Sequence, residues 1–216
     1  GVDLESSLQA HRLATDHPGR ILWSAGLHPH DASRWPEQES RLVALAADAD
    51  AIGECGLDFY RNLSPREDQL TAFRAQLDLA AGLGKPAIIH CRDAFAEMYD
   101  VLEEVQLGEQ AVLHCWTGGP KWTRRYRDLG VVFSFAGPVT FATGDTVRRG
   151  AAEAPPDRTL VETDTPYLTP PPDRRAANEP ANVVKVGEAL AGVWGIALEE
   201  VAAATTALAD RVFGRP

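Results

Sequence analysis

The chain has 216 residues, 44% hydrophobic and 24% charged, which suits one large α/β domain over 1–216. Its 31 acidic and 21 basic residues give a formal net charge of -10, which argues against a general nucleic-acid coat protein. Three cysteines make no disulfide framework, and no apolar run approaches the roughly 20 residues of a membrane span. The opening GVDLESS shows no charged segment ahead of an apolar one, so no signal peptide is expected. A cytoplasmic protein without a membrane partner is the expectation.

Short apolar runs bounded by Gly, Pro or polar residues recur along the chain, the pattern of strands buried on both faces. The first covers 20–26. A helical pattern over 37–48 follows, with Leu42, Val43, Leu45 and Ala46 on one side. The second run, 51–56, precedes Ser64-Pro65, read as an N-cap and first helical position. The helix after it carries Leu70, Phe73, Leu77 and Ala80 at spacings of three and four, and Gly84 and Pro86 stop it. Runs at 86–91, 111–116, 131–137 and 159–164 come next, with helical patterns over 94–104 and 121–128. Two helices split near Gly195 close the chain, and the Pro-rich 169–172 reads as a loop. Alternating strands and helices predict a parallel sheet with helical crossovers. Six strands are visible where a closed (β/α)8 barrel has eight. A barrel would therefore lack its first one or two units, which would precede Gly1.

Four of the six runs end in a potential metal ligand: Glu54, His90, His114 and Asp164. In parallel α/β folds the C-terminal strand ends form one face, where active sites are built. Ionisable groups on apolar strands are costly to bury unless paired or metal-bound. Imidazole nitrogen with carboxylate oxygen suits Zn²⁺, Mn²⁺ or Fe²⁺, and Mg²⁺ where oxygen dominates. Cysteine follows three of these residues, as Cys55, Cys91 and Cys115. Strand alternation turns each away from its neighbour and favours packing over ligation.

Other polar groups leave two readings open. His28 and His30, in Gly26-Leu27-His28-Pro29-His30, either touch substrate or cap backbone groups in a Pro-stiffened loop. Arg92 binds a substrate phosphate or pairs with a carboxylate. Lys121, Arg124, Arg125 and Arg127, near Trp116 and Trp122, form either a solvated face or a grip on a nucleic-acid strand. There is no G-x-S-x-G elbow and no P-loop, so serine nucleophiles and ordinary nucleotide binding have little support.

In combination these motifs resemble the TatD-type metal-dependent deoxyribonucleases, amidohydrolase-like TIM barrels. The matching stretches include Gly53-Glu54-Cys55-Gly56-Leu57-Asp58, Ile89-His90-Cys91-Arg92-Asp93, Leu113-His114-Cys115-Trp116 and Glu162-Thr163-Asp164-Thr165-Pro166-Tyr167-Leu168. The resemblance implies a site for up to two divalent ions (Zn, Mg or Mn). Glu54 would bridge them, His90 and His114 would hold one, and Asp164 would hold the other and help activate water. It further implies DNA as a transient substrate and 3′-to-5′ exonuclease action. Relatives that act on D-aminoacyl-tRNA keep ester or amide hydrolysis open, and an inactive truncated member is a third possibility. The chain departs from the pattern in lacking the opening His-x-His pair, in reading Arg174-Arg175 for Arg-Gly, and in Leu208 for the usual Asn. These features give no oligomeric state.

Overall fold

A computed structural model describes residues 1–215. It contains six strands in chain order, β1 (Ser24–Ala25), β2 (Ala51–Asp58), β3 (Ala87–Arg92), β4 (Ala111–Leu113), β5 (Val132–Phe135) and β6 (Thr159–Val161). Eight α-helices accompany them: α1 (Leu4–Asp16), α2 (Trp35–Ala46), α3 (Arg66–Leu83), α4 (Phe95–Val105), α5 (Pro120–Asp128), α6 (Asp145–Ala151), α7 (Val183–Trp194) and α8 (Leu198–Phe213). Each apolar run becomes a strand, and β1–β2, β2–β3 and β5–β6 pair in parallel. The expected parallel α/β architecture is therefore present. The chain divides into two compact units, one of Gly1–Val112 with the residues from Val212 onward, the other Leu113–Arg211. No single helix among the described residues is long and apolar enough to cross a membrane.

In the first unit, α1 was not anticipated from the apolar pattern. It starts on a capping box in which Asp3 accepts from the Ser6 N–H. Only Ser7 on it is buried, so its apolar stripe is weak. The core of this unit includes Leu27, Trp35, Leu42 and Ala72. Helix α3 shows a buried stripe of Gln69, Ala72, Phe73, Gln76, Leu77 and Ala80. Two members of that stripe are polar, and each grips a strand-end loop. Gln76 Oε1 accepts from the Leu27 N–H at 2.7 Å, and its Nε2 donates to Leu27 O at 3.1 Å. One heptad earlier, Gln69 Oε1 accepts from the Asp58 N–H at 2.9 Å. Its Nε2 donates to Asp58 O at 3.2 Å and Ser64 O at 2.8 Å. A helix thus satisfies backbone groups that the sheet leaves open beyond its strand ends.

Strand β2 is irregular. Ile52 pairs with Ala87 but Cys55 with Ile89, so three residues on β2 span two on β3. Gly53 and Gly56 adopt φ of 130° and 131°, which side-chain-bearing residues rarely reach. At Gly56 a Cβ would lie 2.2 Å from the His90 carbonyl oxygen. Such a bulge re-aims the side chain at its centre, and here that side chain is Glu54.

In the second unit, Trp116 is fully buried. It packs edge-on against Tyr126 with centroids 5.0 Å apart, and its Nε1 donates to Thr123 Oγ1 at 2.9 Å. Helix α8 buries Val201, Thr205 and Leu208. Leu208, one of the departures noted above, is a core residue. Arg174, another, lays its guanidinium 3.4 Å from the Phe141 ring centroid.

Candidate functional site

The strand-end residues of the first unit form one connected cluster. Glu54 sits at the β2 bulge, four residues before the strand's last residue, because β2 runs on to Asp58. His90 is two residues from the end of β3. His90 Nδ1 lies 2.9 Å from Glu54 Oε1, and its Nε2 lies 3.4 Å from Asp58 Oδ2. The imidazole is therefore held between two carboxylates. His30 Nε2 approaches the same Asp58 Oδ2 at 2.9 Å. His28 Nε2 lies 3.5 Å from Glu54 Oε1.

His28 and His30 come from the Pro-stiffened loop after β1. His28 caps the short 3-10 turn Pro29–Arg34, and its Nδ1 accepts from the His30 N–H at 3.2 Å. Backbone capping and membership of the polar cluster are thus both realised in His28. Capping also assigns its proton. With Nδ1 as acceptor, neutral His28 carries hydrogen on Nε2, facing Glu54. Burial lowers the His28 pKa against the opposing pull of Glu54, so the neutral form is favoured.

Asp58 was quoted within a motif but not singled out as a site residue. It is 1% exposed. Burial alone would raise its pKa. The nearby His90 imidazole, with hydrogen bonds from the Arg61 N–H and His30, outweighs that and holds the carboxyl well below the usual range. Its Oδ1 also accepts the backbone N–H groups of Tyr60 at 3.0 Å and Arg61 at 2.7 Å. A carboxylate at the end of an apolar strand, four residues after Glu54, was the signal available for it.

Donor atoms of His28, Glu54 and His90 lie within 4.8 Å of one another, close enough to meet one divalent ion. The mixed nitrogen and oxygen set suits a borderline cation. Cys55 and Cys91 stand apart from it, both buried, with Cys55 Sγ directed at Ile88 O. Burial pushes both thiols up, away from the thiolate a metal requires. Their reading as packing residues agrees with this.

The second unit carries a separate cluster. His114 follows β4 directly, and Asp164 lies three residues beyond β6. His114 Nδ1 lies 2.8 Å from Glu162 Oε1, and its Nε2 lies 3.7 Å from Asp164 Oδ1. Glu162 Oε1 also accepts from the Cys115 N–H at 3.1 Å, and its Oε2 accepts from the Ser134 hydroxyl. Glu162 therefore fixes a proton on His114 Nδ1 and presents Nε2 as the acceptor nitrogen, the arrangement common behind metal-ligating histidines. Cys115 and Asp164 adopt left-handed φ of 45° and 59°. Such conformations cost of order 1 kcal/mol or more and concentrate at functional sites. Glu162 and Ser134 were missed as site residues, since each reads as an ordinary polar position on an apolar strand.

Among the described residues Arg92 forms no ion pair, and its guanidinium lies 3.8 Å from the Tyr60 ring centroid. Of the basic run on α5, Arg124 pairs with Glu153 at 2.6 Å, and Arg127 donates to Glu153 O at 3.4 Å. Arg125 and Lys121 approach the Trp122 ring at 5.0 and 5.5 Å. Arg124 and Arg127 are thus engaged with Glu153, whereas Lys121 and Arg125 stand exposed beside Trp122.

The family model described as TatD related DNase matches residues 1–214. A "3'-5' ssDNA/RNA exonuclease TatD" of Citrobacter koseri is 40% identical over 99% of this chain and 85% of its own length. An "uncharacterized metal-dependent hydrolase YcfH" of Escherichia coli is 37% identical over 89% of this chain and 74% of its own length. Among solved structures, the YJJV TatD homologue of Escherichia coli superposes with a TM-score of 0.91 at 22% identity, covering 100% of this chain and 85% of that one. A TatD family hydrolase of Entamoeba histolytica gives a TM-score of 0.83 at 18% identity, over 97% and 80%. These likenesses bear out the expected α/β fold, that of the TatD TIM barrels with six parallel strands present.

Proposed function

The chain belongs to the TatD related DNase family, and we propose that it is a divalent-metal-dependent nuclease that cleaves the phosphodiester bonds of DNA from a 3′ end. Membership makes it a metal-dependent hydrolase. The observation that carries the finer reading is the close approach of the Glu54 and His90 donor atoms, with His28 beside them, within 4.8 Å. The relative named as a 3′-to-5′ exonuclease supports the substrate class.

In this reading Glu54 and His90 would hold a divalent ion. His28 keeps Glu54 oriented, because its Nε2 proton faces that carboxylate. Within the second unit His114 and Asp164 would be the ligands, with Glu162 setting the His114 tautomer. A bound divalent ion, Zn²⁺, Mn²⁺ or Mg²⁺, supplies positive charge that polarises the phosphoryl group and eases proton loss from water. Asp164 accepts a proton from the attacking water as the new P–O bond forms and the P–O bond to the leaving sugar breaks. Arg92, stacked on Tyr60 and without a carboxylate partner among the described residues, is the cation placed to meet a phosphate. His30 is a loop-positioning residue through Asp58.

The test is digestion of a 3′-labelled and a 5′-labelled single-stranded oligonucleotide with Mg²⁺, Mn²⁺ or Zn²⁺, with an EDTA control and an aminoacyl ester assayed in parallel. Loss of nucleotides from the 3′ end that stops in EDTA and in Glu54→Ala is expected. Cleavage that persists in Glu54→Ala, or turnover of the ester alone, overturns the reading.

A further inference from the structure

The turn after β2 carries a feature that metal chemistry does not use. Tyr60 is 61% exposed, although a phenol ring ordinarily finds cover. One face of the ring is occupied by the Arg92 guanidinium, 3.8 Å from its centroid. The turn is rigidly held. Asp58 Oδ1 accepts the Tyr60 and Arg61 N–H groups at 3.0 and 2.7 Å, and the Phe59 N–H donates to Arg92 O at 2.9 Å. Register brings the two elements together, since Asp58 of β2 pairs with Arg92 of β3. The other oxygen of Asp58 is the one that His30 and His90 approach. One carboxylate thus fixes both the candidate ligand His90 and the turn that presents the ring. Arg61 and Arg66 are exposed on the same stretch, and the Arg66 guanidinium lies 4.2 Å from the Phe59 ring centroid. Against a net charge of -10, residues 59–66 and Arg92 bring three arginines to one strand end.

We propose that Tyr60, backed by Arg92, is a stacking platform for an unpaired nucleobase, placed beside the His28–Glu54–His90 cluster. This rests on the nuclease reading and deepens it, because it supplies a reason to favour single strands. A base in a duplex has both faces covered, whereas an unpaired base offers one to an aromatic ring. Stacking is tolerant of base identity, so no sequence preference is expected from this contact. Arg92 polarises the platform and keeps its charge beside the phosphate that follows the stacked base. Tyr60 is a binding residue in this scheme and takes no part in bond making or breaking.

The experiment measures binding and cleavage separately. Fluorescence anisotropy in EDTA gives the affinity of the intact protein for a labelled single-stranded oligonucleotide and for an abasic chain of the same length. Wild type is expected to favour the base-bearing chain by about tenfold. Tyr60→Ala should lose that preference, binding both chains as weakly as wild type binds the abasic one, and Tyr60→Phe should restore it. A Tyr60→Ala protein that still discriminates, or a wild type that never does, overturns the proposal. Digestion of the same oligonucleotides with metal tests the nuclease reading independently. Cleavage without base discrimination removes the platform and leaves the nuclease standing. Base-dependent binding without cleavage does the reverse.

Discussion

Gln69→Leu should be among the most damaging single changes that leave every candidate ligand in place. Gln69 is fully buried on α3 and makes three hydrogen bonds to the backbone of Asp58 and Ser64, at 2.9, 3.2 and 2.8 Å. Leucine has a similar volume, so no cavity opens and the apolar contacts of the site persist. What disappears is polar. Each buried hydrogen bond contributes about 1 kcal/mol net, and a donor left unsatisfied costs about 1–3 kcal/mol. The Asp58 N–H and the Ser64 carbonyl lose their partner together. The expected cost is therefore about 3–5 kcal/mol, a large fraction of the about 5–15 kcal/mol typical of a folded domain. For a chain of this size that corresponds to a fall in Tm of about 10 °C. Urea unfolding followed by circular dichroism gives the free energy, and a parallel nuclease assay shows whether activity falls further than the folded fraction does. A further fall is expected, because Asp58 positions His90 and the 58–64 turn. A loss of stability below about 1 kcal/mol would show that the clamp is replaceable by water and refute the reasoning.

Glu162→Ala should leave the fold largely intact but weaken divalent-ion binding by about 10–100-fold, because His114 loses the partner that sets its tautomer; calorimetric titration with Zn²⁺ checks this, and unchanged affinity contradicts the role. Gly56→Ala should lower Tm sharply, since its Cβ would lie 2.2 Å from the His90 carbonyl oxygen. Gly192→Ala, where a Cβ meets nothing within 4 Å, serves as the control and should be neutral or stabilising. Metal-free protein should lose stability on acidification in two stages. His28 has a folded pKa below its unfolded value, so the unfolded chain binds its proton first and stability falls as pH drops through about 6.5. The Asp58 pKa is also lowered, so its contribution is complete above about pH 4 and lost below it. Urea midpoints measured in EDTA from pH 8 to 3 should show both stages. Asp58→Asn should shrink the second to what Asp3, whose pKa is also lowered by its Ser6 hydrogen bonds, contributes.

What the sequence made legible was the layout that hydrophobic pattern controls. Every strand announced itself as a short apolar run bounded by Gly, Pro or polar residues, because a parallel strand is buried on both faces and tolerates little else. Helix α1 stayed hidden, since it buries only Ser7 and has no strong apolar stripe to reveal it. Glu54, His90, His114 and Asp164 stood out as ionisable groups on or just after mostly apolar strands. The residues that hold them did not. Gln69 and Gln76 sit on an apolar helical stripe, where single glutamines are easily read as tolerated exceptions. Each proves to be the polar end of a clamp on a strand-end loop. Glu162 and Ser134 act through a hydrogen bond that joins positions 28 residues apart, which no local pattern encodes.

The same distinction explains why Asp58 matters more than its silence in the pattern suggests. Its carboxylate joins three things that the sequence presents separately: the His30 loop, the His90 strand and the turn bearing Tyr60. Asp58→Asn keeps the size and one acceptor oxygen but removes the charge and turns the other oxygen into a donor. Two interactions of the turn survive in one amide orientation, and contact with His30 and His90 suffers. If Asp58 serves only local structure, the variant should lose stability and keep its base preference and metal dependence in proportion to the folded fraction. If it links ligand and platform, base-dependent oligonucleotide binding and divalent-ion affinity should fall together even where the protein is fully folded. The second outcome is expected, because the carboxylate's two oxygens divide between those two tasks and an amide cannot accept at both.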